Sequence, residues 1–379
     1  MVRPFRLARS PLMVLVVAGA IAACGGGTTA PRAGAGSGAG HAATPVTPVT
    51  ASGRASATAS GGSAGAVGSG GNGDITLAFA GDVHFTGRTA KLLSDPATAF
   101  GPISSVLRSA DYTVLNLETA ITSRGVPQPK IYHFRTTPVA FTALRDAGVD
   151  LVTMANNHAL DYGPVGLSDT LAAIRQTGFP VVGIGSDAAA AWAPYVVTVR
   201  GVRIAFVGVS QVAELASSWV ATPARAGEAN TIDLPRTLAA VRAARKRASV
   251  VVVLMHWGTE GMACPDPDQL ALAPKLAAAG ATIIVGSHAH MLQGSGWLGH
   301  TFVAYGMANF LWWETSYSTA TGVLLVTLHD GVVSGARLIP ATVSGTGQPI
   351  VDVGAAAAQA LSYYRSLRIC TGLSATPGP

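Results

Sequence analysis

The sequence predicts an α/β fold with more than one sheet, and two patterns lead to this expectation. Short apolar, β-branched runs alternate with Ala- and Leu-rich stretches of helical spacing. This alternation is typical of parallel strands joined by right-handed helical crossovers. Two hairpins are also predicted, one from residues 195–199 and 202–209 and one from 320–328 and 332–340. Because hairpins do not fit one fully parallel sheet, we expect a second sheet that faces the first.

The predicted elements follow one another in a regular order. Seven apolar runs are expected to be strands, several of them buried on both faces: 75–80, 112–115, 151–154, 202–209, 250–255, 282–285 and 301–304. Four stretches are expected to be helices: 138–147, 166–177, 234–248 and 268–279. No internal repeat is evident in this order.

Residues 1–23 have the features of a signal peptide. Arginines in the first nine residues precede an apolar stretch over residues 12–23, which is shorter than the roughly 20 residues a membrane helix needs. The stretch ends Ala-Ala-Cys and resembles a bacterial lipoprotein signal. We therefore expect export and a lipid anchor on Cys24 at the extracytoplasmic face of the cell membrane. An ordinary signal peptide cut after Ala23, with an incidental cysteine, is the alternative.

The rest of the chain divides into three parts. Residues 24–73 are rich in Gly, Ala, Ser, Thr and Pro and contain no acidic residue, so we expect a disordered tether. A folded domain over 74–345 follows, and after it comes a C-terminal helix and tail over 346–379 that pack on the domain or trail it. Five of the 25 basic residues precede Asp74, which leaves 20 Lys and Arg against 19 Asp and Glu. This near-neutral balance argues against nucleic acid as a partner.

Two cysteines, Cys264 and Cys370, lie in the expected folded part. An even pair in an exported protein favours a disulfide. Two free buried thiols are the alternative, because the sequence gives no distance between them.

Histidine, carboxylate and amide side chains recur where the predicted strands end. They are Asp82, His84, Asn116, Glu118, Asn156, Asn157, His158, His256, Glu260, His288, His290 and Asn309. Any one of them is commonly a core, turn or capping residue. Several strands that deliver such groups to the same kind of edge favour a shared site instead. A two-metal hydrolytic centre requires this convergence of ligands.

In their order along the chain, these motifs resemble the CapA-type poly-γ-glutamate capsule family. The motifs are Gly81-Asp82, Asn116-Leu117-Glu118, Asn156-Asn157-His158 with Asp161, His256-Trp257-Gly258 with Glu260, Gly286-Ser287-His288 with His290, and Ala308-Asn309-Phe310. That family is similar in fold to the calcineurin-like metallophosphoesterases. The resemblance implies an α/β/β/α sandwich of two facing mixed sheets flanked by helices, but it does not fix the reaction.

The resemblance also implies two divalent metal ions, which mixed N and O ligands would allow to be Zn, Mn or Fe. Asp82, His84 and His290 would hold one ion. Asn157, His256 and His288 would hold the other, and Glu118 would bridge them. His158 would serve as general acid or as a donor to the transition state. The residues expected to bind substrate or to support the ligands are Asn116, Arg135, Asp161, Glu260 and Asn309.

The chain departs from these families at several positions. Glu118 stands where phosphoesterases have Asp, and His84 stands where the capsule family often has an apolar residue. Ala289, Gly261 and Ala308 replace a common Pro, a common aromatic residue and a common Gly. We expect these changes to affect loop geometry more than ligand identity.

Two functions follow from the resemblance. The first is a surface-anchored metal-dependent hydrolase or transferase that acts on an anionic polymer or its precursor in capsule biosynthesis, with phosphate esters as the alternative substrates. The second is a non-catalytic assembly or export factor that binds the polymer or membrane capsule-synthase subunits. The complete set of ligand side chains favours the enzyme.

Overall fold

The computed structural model describes residues 73–378. The expected signal peptide, the lipidation site Cys24 and the tether as far as residue 72 lie outside the described residues. None of the helices within 73–378 is long and apolar enough to cross a membrane.

Residues 73–378 form eighteen strands and eight α-helices. The strands are β1 (Ile75–Val83), β2 (Tyr112–Leu117), β3 (Ala120–Ile121), β4 (Arg135–Thr136), β5 (Leu151–Thr153), β6 (Val181–Val182), β7 (Ile184–Gly185), β8 (Tyr195–Val199), β9 (Val202–Ser210), β10 (Gly227–Glu228), β11 (Val250–Trp257), β12 (Ile283–His288), β13 (Ser295–Leu298), β14 (Thr301–Ala304), β15 (Asn309–Leu311), β16 (Ala320–His329), β17 (Val332–Val343) and β18 (Pro349–Val351). The α-helices are α1 (Ser104–Leu107), α2 (Val139–Asp146), α3 (Gly163–Thr177), α4 (Ala188–Ala191), α5 (Ala216–Trp219), α6 (Leu234–Arg245), α7 (Pro267–Ala279) and α8 (Gly354–Ser366).

Most of the strands belong to two large sheets. The first has the order β18-β17-β16-β1-β2-β5-β6, with β15 parallel to the end of β1. The second has the order β13-β14-β12-β11-β9-β8. In the first sheet, β1, β2, β5 and β6 are parallel as far as one edge, and β16, β17 and β18 form an antiparallel half. In the second sheet, the four middle strands are parallel, and antiparallel strands lie at both edges. Both predicted hairpins are confirmed, and each sheet contains one of them.

Three apolar cores separate four layers. Alternate residues of β1 face opposite ways, because side chains alternate along a strand. Leu77 and Phe79 pack between the sheets, whereas Ala78 and Ala80 pack on the helical side of the first sheet. The outer core of the second sheet is formed with α6 and α7. The expected α/β/β/α sandwich of two facing mixed sheets flanked by helices is confirmed.

Local sequence explains where the helices begin and end. α7 begins at a capping box formed by Asp266 and Gln269, and it ends at Gly280 with a φ of 111°. α3 begins at Gly163, three residues before the predicted start. A proline follows directly in its first turn, where the missing backbone N–H costs no helical hydrogen bond.

Past residue 345, a C-terminal helix and tail were expected either to pack on the domain or to trail it. β18 pairs with β17 as an antiparallel edge strand. α8 then contributes Tyr364 to the core between the sheets, and the backbone of Ser374 pairs with that of Trp297. The C-terminal segment is therefore packed on the domain.

A disulfide joins Cys264 to Cys370, with 5.7 Å between the two Cα atoms. It ties the short helical turn Leu367–Cys370 to the loop that follows β11.

Candidate metal centre

The expected site residues gather at one edge of the sandwich, where parallel strands end. Asp82 lies near the end of β1, Glu118 follows β2, Asn157 and His158 follow β5, His256 lies near the end of β11, and His288 ends β12. The register of the first sheet sets Asp82 opposite both Asn116 and Asn309. This edge is where open α/β sheets bind ligands.

Glu118 lies at the centre of the group and is fully buried. Its Oε1 atom lies 3.7 Å from Nε2 of His158 and 3.9 Å from Nε2 of His256. Its Oε2 atom accepts a hydrogen bond of 3.2 Å from Asn116, which also donates to Oδ1 of Asp82 at 2.8 Å. Oε1 has no hydrogen-bond partner in the part of the chain that the structure describes. It is therefore available as a ligand.

Asp82, Glu118 and His290 form a first group of metal-ligating side chains. Each offers one ligand atom, and the three atoms lie within 4.8 Å of one another. Nδ1 of His290 is 3.3 Å from Oδ2 of Asp82, and it makes no hydrogen bond among the described residues. These three residues could hold one divalent ion.

His256 and Asn157 form the other side of the centre. Nδ1 of His256 lies 2.9 Å from the hydroxyl of Ser287 and 3.3 Å from the side-chain nitrogen of Asn116. In the tautomer with its proton on Nδ1, the second nitrogen, Nε2, carries a lone pair, and it lies 2.8 Å from Oδ1 of Asn157. Two lone-pair atoms that converge in this way are suited to share one cation.

His288 and Glu260 extend the centre toward the surface. Glu260, His288 and His290 form a second group whose ligand atoms lie within 4.8 Å of one another. The ring centroid of His288 is also 4.7 Å from that of His256. Glu260 was expected to support the ligands or bind substrate, but its position suits direct ligation.

His84 belongs to neither group of three. Its ring centroid lies 4.3 Å from that of Phe134 and 4.3 Å from that of Trp312. Both ring nitrogens are buried without a hydrogen-bond partner among residues 73–378. His84 is therefore packed between aromatic rings beside the centre, and its expected role as a metal ligand stays a prediction.

His158 is oriented by a buried ion pair. Its Nδ1 atom lies 2.7 Å from Oδ2 of Asp161, and its Nε2 atom is the one nearest Glu118. Lys130 is buried as well, and its Nζ atom lies 3.0 Å from Asp161 and 3.0 Å from Glu214. Burial raises the pKa of Asp161 to about 7, and Lys130 acts in the opposite direction. The contact between Nδ1 and Asp161 holds the ring of His158 with Nε2 toward Glu118.

Sequence reasoning missed Lys130. It lies in the irregular segment between β3 and β4, where no periodicity points to a site. The one sequence feature that could have drawn attention to Lys130 is that the chain has only four lysines.

The expected supporting residues lie in different surroundings. Asn116 is bonded to Asn156, whose amide donates to Oδ1 of Asn116 at 3.0 Å. Asn309 is buried, and both its side-chain polar atoms lack a partner among the described residues. Arg135 is exposed and lies over the ring of Tyr162, 4.6 Å from its centroid. Arg135 therefore does not reach the centre.

The loops that carry the ligands have unusual backbone angles. His288 and His290 have φ values of 85° and 55°, and Ala308 has a φ of 60°. Non-glycine residues rarely adopt this left-handed region, at a cost of about 1–3 kcal/mol each. The surrounding fold therefore holds these loops in place.

Burial shifts the ionisation of the centre. It lowers the pKa of His84, His158 and His256 well below the usual value, and it lowers the pKa of His288 to about 3. Burial raises the pKa of Glu118 well above its usual range, and Asp82 raises it further. Neutral imidazoles keep the lone pairs that metals bind, and a bound cation would favour the ionised form of Glu118. The residues therefore fit one or more divalent metal ions.

A cavity of about 240 Å³ opens beside the centre. His158, His290 and Glu260 contribute to its wall, and aromatic side chains form most of the rest: Tyr132, Phe134, Trp312, Trp313 and Tyr317. This cavity gives a small molecule or a chain end access to the ligands.

Comparison with known proteins identifies the family. The chain matches the model for "Bacterial capsule synthesis protein PGA_cap" over residues 76–312, more than half of its length. The protein belongs to this family. The PGA biosynthesis protein CapA of Bacillus subtilis is 30% identical over 264 residues, covering 67% of this chain and 67% of the relative. The capsule biosynthesis protein CapA of Bacillus anthracis is 27% identical over 293 residues, covering 74% of this chain and 71% of the relative.

Solved structures give a weaker likeness to this PGA_cap protein. A phosphatase from Mycoplasma pneumoniae aligns with 14% identity and a TM-score of 0.44, covering 70% of this chain and 93% of that chain. The membership in the CapA-type family that the motifs predicted is confirmed by the family match and the two Bacillus relatives.

Proposed function

We propose that this protein is a two-metal-dependent hydrolase or transferase that acts in the synthesis of a poly-γ-glutamate-like capsule polymer. The observation that carries the proposal is the buried Glu118, whose free Oε1 atom has histidine nitrogens within 4 Å on two sides. A fold does not need a buried carboxylate among neutral histidines, and leaving one unpaired is costly. The polymer is inferred from the names of the two Bacillus relatives, a PGA biosynthesis protein and a capsule biosynthesis protein.

The ligand assignment follows from the donor groups. Asp82 and His290 would hold one ion, Asn157 and His256 would hold a second, and Glu118 would contribute to both. His288 and Glu260 are near enough to complete either set. Bound divalent ions would act as Lewis acids toward a phosphoryl or acyl centre.

His158 would move the proton. With Nδ1–H bonded to Asp161, Nε2 faces the centre and can take up or release a proton there. The contact between Nδ1 and Asp161 fixes the orientation of the ring, and Lys130 counteracts the rise that burial causes in the pKa of Asp161. The ring of Phe134 packs against that of His158 in a tilted arrangement, at a centroid distance of 4.3 Å.

An activity assay tests the proposal. The purified protein would be incubated with a γ-linked glutamate polymer and, separately, with a generic phosphodiester, each with and without added Mn²⁺ or Zn²⁺. We expect metal-dependent turnover of one of the two that His256→Ala abolishes. A folded protein that turns over neither substrate would instead support an assembly factor, which binds the polymer or membrane synthase subunits without catalysis.

Surface anchoring through Cys24 is part of the same proposal. The basic start, the short apolar stretch and the Ala-Ala-Cys sequence support it. Cys24→Ser should move the protein from the membrane fraction to a soluble one. An unmodified N-terminus with unchanged fractionation would refute the anchor.

A further inference from the structure

A larger cavity, of about 750 Å³, lies between the two sheets and the C-terminal segment. Its walls come from β13, β16 and β17 together with α8 and residues 375–377. It shares no lining residue with the cavity at the metal centre. Its volume lies within the roughly 300–1,000 Å³ of ligand-binding pockets. We call it the C-terminal groove.

The charges that line the C-terminal groove are mainly positive. Arg337 of β17, Arg365 of α8 and Arg368 all contribute to its wall. None of these three guanidinium groups forms an ion pair within residues 73–378. The lining carboxylate, Asp352, accepts a hydrogen bond from Thr342 at 2.8 Å. An anionic ligand would neutralise this excess of positive charge.

Two polar side chains in the C-terminal groove, those of Arg368 and Tyr364, have groups available to bind a ligand. Nε of Arg368 donates to the carbonyl of Ser295 at 2.7 Å, which fixes the guanidinium plane while its terminal amino groups make no other hydrogen bond among the described residues. Tyr364 is buried, and its hydroxyl lies near Ser295 without the geometry of a hydrogen bond. A buried hydroxyl without a partner is unfavourable unless a ligand or water satisfies it.

The remaining wall is apolar. Trp297 and Phe302 are nearly buried and line the groove together with Leu338. Such a wall suits the methylene groups of an organic chain and offers nothing to an inorganic anion. The ligand therefore combines anionic groups with aliphatic segments.

We propose that the C-terminal groove is a second binding site, which holds an extended organic polyanion through Arg337, Arg365 and Arg368. Guanidinium groups pair bidentately with carboxylates, so several along one chain can be bound together. The three arginines and the apolar wall are the basis for proposing an organic polyanion as the class of ligand. Its identity as γ-linked glutamate rests on the proposed function.

The three arginines all lie beyond residue 312, where the match to the PGA_cap family ends. The disulfide at Cys370 ties the segment that carries Arg365 and Arg368 to the loop after β11, and the same loop carries Glu260.

Calorimetric titration of the purified protein with a short γ-linked glutamate oligomer tests the site. We expect Arg337→Gln and Arg365→Gln each to weaken binding about tenfold, and Tyr364→Phe to weaken it less. Arg175→Gln, on the exposed face of α3, makes the same change in net charge outside the groove and should bind like the wild type. Inorganic phosphate should bind more weakly than the oligomer.

Four results would overturn the groove proposal. They are unchanged binding in the groove variants, equal weakening by Arg175→Gln, inorganic phosphate that binds as tightly as the oligomer, or binding that only His256→Ala abolishes. The last result would place the oligomer at the metal centre and leave the proposed function intact. Loss of binding in the groove variants with full binding in His256→Ala would support the groove even if the metal centre proved inactive.

Discussion

Oε1 of Glu118 and Nε2 of His256 lie 3.9 Å apart although they belong to different sheets. Glu118 follows β2 of the first sheet, and His256 lies on β11 of the second. The candidate metal centre is therefore built across the seam between the two sheets. Any change that shifts the sheets against each other should disturb the ligands together.

Replacement of His158 should separate catalysis from metal binding. His158 approaches the centre but belongs to neither group of three ligands. His158→Ala should therefore retain the metal content of the wild type and slow the chemical step by about 10²–10⁴-fold. His300→Ala, on an exposed turn, is the matched control and should leave both unchanged. Loss of metal from the His158 variant would make this residue a ligand.

Replacement of Lys130 should destabilise the fold. Lys130→Met leaves the buried Asp161 without its cation, and breaking a buried pair costs about 3–5 kcal/mol. The free energy of unfolding from urea titration measures the loss. Adding Asp161→Asn should recover part of it, because the uncompensated charge is then gone.

The control for Lys130 is the exposed pair of Arg124 and Asp169. Arg124→Met should stay near wild-type stability, since surface pairs contribute little. If the Lys130→Met and Arg124→Met variants lose the same free energy of unfolding, burial does not make the Lys130–Asp161 pair more important for stability than the exposed pair.

Substitutions at Gly81 and at Ala308, which are in contact, should change the stability of the fold in opposite directions. A Cβ atom on Gly81 would lie 1.8 Å from the carbonyl oxygen of Ala308, which accepts the backbone N–H of Asp82 at 2.9 Å. Gly81→Ala should cost at least about 3 kcal/mol. Ala308→Gly relieves a left-handed φ and should gain up to about 1 kcal/mol after the entropy of glycine is counted. Thermal unfolding of both variants measures these changes. A Gly81→Ala variant as stable as the wild type would contradict the close contact between Gly81 and Ala308.

The disulfide between Cys264 and Cys370 should be present in protein purified without a reducing agent. It closes a sequence separation of 106 residues, and its loss should cost about 2–5 kcal/mol. Mass spectrometry of a non-reduced digest should find the peptides of Cys264 and Cys370 linked. Two alkylated thiols at these positions would exclude the bond.

Much of the site could be predicted because its ligands directly follow apolar strands. Asp82, Glu118 and His256 each lie at or next to the end of a buried run, and parallel strands bring such ends to one edge. Lys130 could not be found in this way, since it reaches the centre from an irregular segment through tertiary packing. The position of His84 depends on aromatic neighbours that are distant in sequence.

The extent of the domain was harder to predict for a different reason. β18 has only three residues, and α8 begins with an alanine run that carries little amphipathic pattern. Neither sequence pattern by itself predicts an element that packs on the domain, because the packing depends on residues that are distant in sequence. The sequence therefore predicted a C-terminal helix and tail over 346–379 and left open whether they pack on the domain or trail it.

Metal content is the most direct test of a two-metal centre around Glu118. The purified protein would be reconstituted with Mn²⁺ or Zn²⁺, dialysed and analysed for bound metal, beside Glu118→Gln, which keeps the size of the side chain but removes its charge. We predict about two divalent ions per wild-type chain and reduced occupancy of both in the variant. A folded wild-type protein that retains no divalent metal, or a Glu118→Gln variant with full occupancy, would contradict the proposed metal centre.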